Sequence, residues 1–311
     1  QLLEEVSLMA TWRKTVYVFP GQGSQWTGMG HDLCTNLPEA RAVFEEADSV
    51  LGFPLSRLCF EGPEDVLRQT VNAQPAILAV SVAYLRTSPQ LRDRPRPSFV
   101  AGHSLGEYTA LVAADTLSFA DALRLARERG RLMQEAGNQT SGGMLAVIGL
   151  DEATVQSVCQ ATGMEIANIN CPGQIAISGP SQALEAATQL AKEKGAQRVV
   201  PLPVSGAFHS RLMKPAADGM AQAVSNLQFQ DAVIPIVANT TAEPMTSGNA
   251  LKAELLNQLC HSVLWQKSVE RMIKEGALEF VEVGPGQVLT GLIKRISRDA
   301  KAISTEARKP S

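Results

Sequence analysis

Short apolar runs rich in β-branched residues alternate with longer amphipathic stretches along most of the chain. The runs at 15–19 and 278–283 predict strands, because β-branched and aromatic residues recur in them. The stretches at 38–51 and 119–136 repeat apolar residues at helical spacing, which predicts amphipathic helices. Strands that alternate with helices in this way indicate an α/β fold built on a mainly parallel sheet.

Other stretches extend this pattern to both ends of the chain. The run at 76–85 is apolar on nearly all sides, so we expect a buried helix there. A further strand is predicted at 233–238, and further helices are predicted at 64–69, 212–227, 250–259, 265–274 and 288–297.

The middle of the chain has a different order of elements. Strands are predicted at 144–150, 165–170, 174–178 and 197–204, with helices at 151–162 and 181–194. This β-α-β-β-α-β order is typical of a ferredoxin-like unit. The expected fold is therefore α/β, with a large α/β-hydrolase-like domain (9–141 and 205–304) and an inserted small ferredoxin-like subdomain (142–204).

Composition narrows the class of protein. The chain has 311 residues, of which 45% are hydrophobic and 19% are charged, as in globular proteins. A net charge of −3 does not favour nucleic-acid binding, and no apolar run is long enough to predict a membrane span. The five cysteines lack metal-ligand spacing, so we expect reduced thiols in a cytoplasmic protein and no metal site. Residues 1–8 are left out of the fold, and the polar segment 305–311 is expected to fray.

The first candidate for chemistry is Ser104, which lies between Gly102 and Gly106 in a Gly-x-Ser-x-Gly pattern. An extended run precedes it and a helix-forming run follows. A serine at such a turn exposes its hydroxyl beside the free N–H groups of a helix N-terminus, which can stabilise an oxyanion. The pattern predicts a nucleophile, and an ordinary glycine-rich turn is the alternative.

Arg129 is the second candidate, because it lies on the apolar face of the helix predicted at 119–136. A buried guanidinium is costly unless it is paired. Two interpretations follow: either a carboxylate elsewhere in the chain pairs with it, or it binds an anionic group of the substrate.

A serine nucleophile needs a base, and His209 is the preferred one of four histidines. It follows a strand and a glycine-containing loop, and such loops gather where Ser104 lies. His103 is adjacent to Ser104 and points away from it, while His31 and His261 suit surface or capping positions. Since no acidic residue presents itself as a third member, we expect a Ser–His dyad whose imidazole is oriented by a backbone carbonyl.

Together these segments resemble the malonyl-CoA:acyl carrier protein transacylase family, which includes the acyltransferase domains of polyketide and fatty acid synthases. The resemblance extends from about Lys14 to Ser297. The segments that carry it, in family order, are Phe19-Pro20-Gly21-Gln22-Gly23-Ser24-Gln25, Gly102-His103-Ser104-Leu105-Gly106-Glu107, Arg129, Gly206-Ala207-Phe208-His209 and Glu282-Val283-Gly284-Pro285-Gly286.

The resemblance implies a ping-pong acyl transfer. Ser104 takes the malonyl group from malonyl-CoA as an ester and passes it to the phosphopantetheine thiol of an acyl carrier protein. His209 is the general base and acid of both steps. The backbone N–H groups of Gln22 and Leu105 form the oxyanion hole, and Arg129 pairs with the free carboxylate of malonate.

The resemblance also implies roles around the substrate. Phe208 selects malonyl over methylmalonyl groups, because its ring leaves little room for an α-methyl branch. Gln74, Asn168, Asn170 and Leu264 line the cleft. Leu264 departs from the Gln or Arg that the family often has there, but its backbone carbonyl could still orient His209.

The implied partners are acyl carrier protein and malonyl-CoA, with no cofactor of its own, no nucleic acid and no membrane, and we expect a cytoplasmic monomer. Trp26 is typical of polyketide acyltransferases, although one residue does not identify the pathway. Two alternatives stay open: a serine esterase or thioesterase that uses the same nucleophile, and a non-catalytic docking domain of a synthase.

Overall fold

A computed structural model describes residues 14–92 and 94–306. Its strands are β1 (Lys14–Phe19), β2 (Phe99–Gly102), β3 (Gly142–Ile148), β4 (Glu165–Cys171), β5 (Gln174–Pro180), β6 (Arg198–Pro201), β7 (Ile236–Val237), β8 (Pro244–Met245), β9 (Ala277–Glu282) and β10 (Lys301–Ser304). Its α-helices are α1 (His31–Asn36), α2 (Pro38–Leu51), α3 (Leu55–Glu61), α4 (Glu64–Arg68), α5 (Thr70–Thr87), α6 (Pro89–Arg92), α7 (Gly106–Ala113), α8 (Phe119–Gln139), α9 (Glu152–Thr162), α10 (Leu184–Glu193), α11 (Lys214–Val224), α12 (Gly248–Gln258), α13 (Trp265–Lys274) and α14 (Val288–Ile296).

The larger sheet has the strand order β10-β9-β1-β2-β7-β8. Every neighbouring pair is parallel except β7 and β8. Strand β1 lies inside the sheet between β2 and β9, so Val16 and Val18 are fully buried. This arrangement confirms the predicted mainly parallel α/β sheet.

The smaller sheet is antiparallel, with the order β4-β5-β3-β6. With α9 after β3 and α10 after β5, it confirms the predicted order of elements between 142 and 204. Its edge strand β4 also contacts the segment that follows α12. Val263 N–H donates to Ala167 O at 2.8 Å, and Ile169 N–H donates to Val263 O at 2.9 Å. The domain boundaries themselves stay a prediction.

Helices α5 and α8 pack closely and carry much of the core. A β-carbon on Gly130 would lie 2.6 Å from Thr70 O, so only glycine allows this approach. Helix α5 begins at Thr70, earlier than predicted, and contains Pro75. Because proline has no N–H, Val71 O lacks its usual helical donor. Arg127 Nη1 supplies one instead at 2.9 Å, which explains why the helix tolerates proline.

The structure corrects several expectations. The strands predicted at 197–204 and 233–238 are shorter, as β6 and β7. Helices α1, α3 and α6 and strands β8 and β10 were not predicted, because they are too short to show a period. The start of the polar tail is not frayed: Thr305 and Glu306 are each only 9% exposed. The rest of 305–311, and residues 1–8, lie outside the described residues.

Glu306 is buried because its carboxylate accepts three hydrogen bonds. Trp26 Nε1 donates at 3.1 Å, Tyr84 OH at 2.9 Å and Gly286 N at 3.0 Å. In the described ranges, no helix combines the length and apolar character of a membrane span, and no group of His, Cys, Asp and Glu side chains could hold a metal ion.

Candidate active site

Ser104 lies at the sharp turn between β2 and α7, with a left-handed φ of 53°. The flanking glycines are required by close backbone approach. A β-carbon on Gly102 would lie 1.8 Å from Gly106 C, and one on Gly106 would lie 2.0 Å from Phe19 O. The predicted strand, turn and helix are therefore present, and the ordinary steric preference against positive φ is overcome at the serine.

The hydroxyl of Ser104 contacts both other residues that the sequence singled out. Its Oγ lies 2.8 Å from His209 Nε2, and Arg129 Nη2 donates to it at 3.0 Å. His209 is 4% exposed and itself has a positive φ of 58°. Arg129 and His209, which are far apart in the chain, thus both contact Ser104 Oγ.

The second nitrogen of His209, Nδ1, lies 2.8 Å from Gln258 O. A backbone carbonyl therefore orients the imidazole, but the suggestion that Leu264 supplies it is wrong. Leu264 packs against the small sheet, and its N–H donates to Asn239 O at 2.8 Å. Gln258 is the last residue of α12, where carbonyl groups have no partner within the helix and are free to accept from elsewhere.

The environment of His209 keeps it neutral at neutral pH. Burial, followed by the charge of Arg129, lowers its pKa to about 3. Since Nδ1 faces a carbonyl, which only accepts, Nδ1 carries the proton and Nε2 presents its lone pair to Ser104. His209 is consequently arranged to accept the hydroxyl proton.

Arg129 is 1% exposed and is held by side-chain amides. Its Nη1 donates to Gln74 Oε1 and its Nη2 to Gln258 Oε1, both at 2.8 Å. These partners and Ser104 are neutral, and no carboxylate within the described residues forms an ion pair with Arg129. Burial lowers the pKa of the guanidinium, but an arginine stays charged in proteins. The guanidinium beside the hydroxyl of Ser104 therefore has no directly bonded anion among the described residues, and the carboxyl of Glu107 acts on it only through space, from the far side of Gln258.

Gln22 lies in the loop after β1, and Leu105 lies in the turn that carries Ser104. A β-carbon on Gly21 would lie 2.3 Å from His103 O, so the loop of Gln22 presses against the turn. Within the described part of the chain, the backbone N–H of neither Gln22 nor Leu105 donates to another protein group. The Gln22 side chain is turned aside, since its Nε2 donates to Thr70 Oγ1 at 3.2 Å.

The remaining predicted residues differ in how closely they approach the site. Gln74 reaches Arg129 and also donates to Met133 Sδ at 3.4 Å. Asn170 contacts the turn that carries Ser104, because its Oδ1 lies 2.9 Å from His103 Nε2. Asn168 pairs through its backbone with Val263. Phe208, next to His209, is 6% exposed and belongs to the large core.

The other histidines have the structural roles expected from the sequence. His103 points towards Asn170 and away from the hydroxyl of Ser104, and its ring centroid lies 5.6 Å from that of Trp265. His261 is exposed, with Nδ1 2.7 Å from Asn257 O. His31 is also exposed and stacks edge-on against Phe60.

Comparison with known proteins places the chain in a family. The profile of the acyl transferase domain matches residues 16–310. The malonyl CoA-acyl carrier protein transacylase of Bacillus subtilis is 44% identical over 296 residues, which cover 94% of this chain and 93% of that protein. The chain belongs to the malonyl CoA-acyl carrier protein transacylase family. A transacylase of that name from Escherichia coli is 45% identical, over 90% of this chain and 92% of its own length.

Solved structures in the transacylase family share the fold. The acyl-carrier-protein S-malonyltransferase of Bartonella henselae superposes with a TM-score of 0.90 at 44% identity, over 95% of this chain and 96% of that one. A malonyl-transacylase in complex with a type II PKS acyl-carrier protein has a TM-score of 0.89 at 42% identity, over 94% and 95%.

Three buried polar residues of this transacylase family member escaped the sequence analysis: Gln258, Asn239 and Glu107. The Gln258 side chain donates from Nε2 to Ser104 O at 3.0 Å and also to the carboxylate of Glu107. Burial, with Glu254 nearby, raises the pKa of Glu107 well above its usual range. Gln258 could have been found by the reasoning applied to Arg129, because it lies on a helix whose other buried residues include Leu251 and Leu255.

Proposed function

We propose that the chain transfers the malonyl group of malonyl-CoA to the phosphopantetheine thiol of an acyl carrier protein, through a malonyl ester on Ser104. The observation that carries this proposal is the buried charge of Arg129, whose Nη2 lies 3.0 Å from Ser104 Oγ and whose partners are neutral. An acyl group that ends in a carboxylate would supply the missing anion when its carbonyl is at the serine.

The first half-reaction forms the ester. His209 Nε2 takes the hydroxyl proton as Ser104 Oγ attacks the thioester carbonyl carbon. The N–H groups of Gln22 and Leu105 stabilise the oxyanion of the tetrahedral intermediate, since no described residue of the chain accepts a hydrogen bond from either. The carbon–sulfur bond then breaks, and the coenzyme A sulfur leaves with the proton from His209.

The second half-reaction reverses these roles with a different thiol. The phosphopantetheine thiol gives its proton to His209, and its sulfur attacks the ester carbonyl carbon. The same oxyanion contacts form again, and Ser104 Oγ leaves with the proton from His209. A malonyl thioester on the carrier is released with the enzyme unchanged, so the cycle is ping-pong.

We further propose that Phe208 restricts the acyl group, because it adjoins His209 and its ring is packed in the core. An α-methyl branch then requires a core side chain to move, which disfavours methylmalonyl groups by about 1–3 kcal/mol.

The proposal includes an acyl carrier protein as partner, a cytoplasmic location, a monomeric enzyme and no cofactor of its own. Support for the partner comes from the names of the relatives and from the related malonyl-transacylase complexed with a carrier protein. Sedimentation in solution tests the monomer, and a panel of carriers from fatty acid and polyketide synthesis identifies the preferred pathway.

Incubation with malonyl-CoA followed by intact-mass measurement tests the proposal. We expect a malonyl adduct that is absent in Ser104→Ala and disappears when a phosphopantetheinylated carrier is added. Rapid release of free malonate without a carrier would instead identify a hydrolase. An unmodified wild-type chain would indicate a docking domain.

A further inference from the structure

Asn239 lies just beyond β7, beside the turn that carries Ser104, and is 1% exposed. Its side-chain amide spans this turn. Oδ1 accepts a hydrogen bond from Ser104 N at 2.8 Å, and Nδ2 donates to Gly102 O at 2.7 Å. One side chain therefore binds the backbone on both sides of His103.

The amide of Asn239 has only one consistent orientation. Its Nδ2 faces Gly102 O and also Glu107 Oε1, at 3.3 Å, and both are acceptors. Its Oδ1 faces an N–H, which only donates. The backbone of Asn239 is fixed as well, because its N–H donates to Glu107 Oε1 at 3.0 Å and its carbonyl accepts from Leu264 N at 2.8 Å.

These contacts act on a strained position. Ser104 has a φ of 53°, a conformation that a side chain disfavours and that persists only when its surroundings impose it. Asn239 holds the Ser104 N–H, and Gln258 Nε2 holds the Ser104 carbonyl at 3.0 Å. The Ser104 carbonyl and the Leu105 N–H belong to the same peptide group, and in a planar trans peptide the N–H and the C=O point in opposite directions. Fixing the carbonyl of Ser104 therefore also aims the N–H of Leu105 away from Gln258.

We propose that Asn239 is a positioning residue that holds the turn so that the Ser104 hydroxyl and the Leu105 N–H keep their reactive directions. The inference rests on the proposed function, in which Ser104 is the nucleophile. Asn239 does not touch the substrate; it acts through the backbone of the turn.

The test compares Asn239→Ala with the wild-type chain in single-turnover acylation by malonyl-CoA, followed by intact mass at a temperature where circular dichroism shows both folded. We expect the saturating rate to fall roughly 10- to 100-fold, since small displacements of a nucleophile have effects of that size. The half-saturating concentration should change by less than about threefold, because substrate contacts are retained. Asn239→Asp, which keeps the acceptor for Ser104 N and loses the donor to Gly102 O, is the second variant if Asn239→Ala does not fold.

Thr240→Val is the matched control, because Thr240 is the next residue and its hydroxyl donates to Glu254 Oε2 at 2.6 Å, not to the turn. We expect a lower melting temperature and an acylation rate within about twofold of wild type. A folded Asn239 variant that acylates at the wild-type rate would overturn the inference, as would an equal rate loss in Thr240→Val. Failure of the proposed function looks different, since the wild-type chain itself would then either form no malonyl ester or release free malonate rapidly without a carrier.

Discussion

Replacing Arg129 by alanine tests the link between buried charge and acyl-group choice. In the wild-type chain the guanidinium donates three hydrogen bonds, to the amides of Gln74 and Gln258 and to Ser104 Oγ, and its Cζ lies 5.5 Å from the centroid of the Tyr108 ring. The substitution removes those three contacts for every substrate. On the proposed function, for malonyl-CoA alone it also leaves the substrate carboxylate without a cation at this buried site.

The two effects have different sizes. Loss of the contacts with neutral groups affects malonyl and acetyl transfer equally, and so it cancels in the ratio of their rates. Leaving a buried charge unpaired costs about 2–5 kcal/mol. Since each 1.4 kcal/mol is about tenfold, kcat/KM for malonyl-CoA should fall by roughly 30- to 4,000-fold relative to that for acetyl-CoA.

The assay measures ester formation on Ser104 from each coenzyme A thioester in the wild type and in Arg129→Ala. Arg131→Ala is the charge-matched control, because Arg131 lies on the same helix, is exposed, and pairs with Glu128 and Glu135. It should leave both rates nearly unchanged. Equal losses of malonyl and acetyl loading in Arg129→Ala would refute the carboxylate-binding role.

Three further predictions concern the base, the acyl pocket and the buried tail. Because the pKa of His209 is lowered to about 3, activity should be lost only as the pH falls far below 6.5, and an acid limb of kcat/KM for malonyl-CoA centred near 6.5 would contradict this. Phe208→Ser should raise methylmalonyl loading relative to malonyl loading by about tenfold or more, measured by competition between the two thioesters; an unchanged ratio would exclude Phe208 as a selectivity residue. Glu306→Ala leaves two buried donors (Tyr84 OH and Gly286 N) and the half-buried Trp26 Nε1 unpaired, so chemical denaturation should show a loss of at least about 2 kcal/mol of unfolding free energy. An unaltered value would show that these contacts do not stabilise the tail.

Local patterns in the sequence were sufficient to predict the parts of the site that depend on local geometry. The glycines around Ser104 indicate a sharp turn, because the steric demand on them arises within the same short segment. Arg129 stood out because helical periodicity places it on an apolar face, and the structure does bury it. Identifying these two positions required no knowledge of distant contacts.

The residues that were missed act through contacts between distant segments. Gln258 is 154 positions from Ser104 and Asn239 is 135 positions from it, yet both bind its backbone. The carbonyl that orients His209 was assigned to Leu264 and belongs to Gln258, because the end of α12 determines which carbonyl is free. A backbone carbonyl carries no side-chain signature, so only the fold reveals which one faces the imidazole.

The amides around Arg129 explain how binding and catalysis can be coupled in this site. A carboxylate partner would fix the guanidinium but cancel its charge, whereas Gln74 and Gln258 fix it and leave the charge intact. That charge is one cause of the low pKa of His209. On the proposed function, the malonyl carboxylate neutralises it, and we expect the pKa of His209 to rise, which makes the imidazole a stronger base when the correct substrate is bound. The saturating acylation rate should therefore begin to fall at a higher pH with malonyl-CoA than with acetyl-CoA, which brings no anion to Arg129. If the two substrates lose activity at the same pH, the charge of the substrate does not alter the pKa of His209.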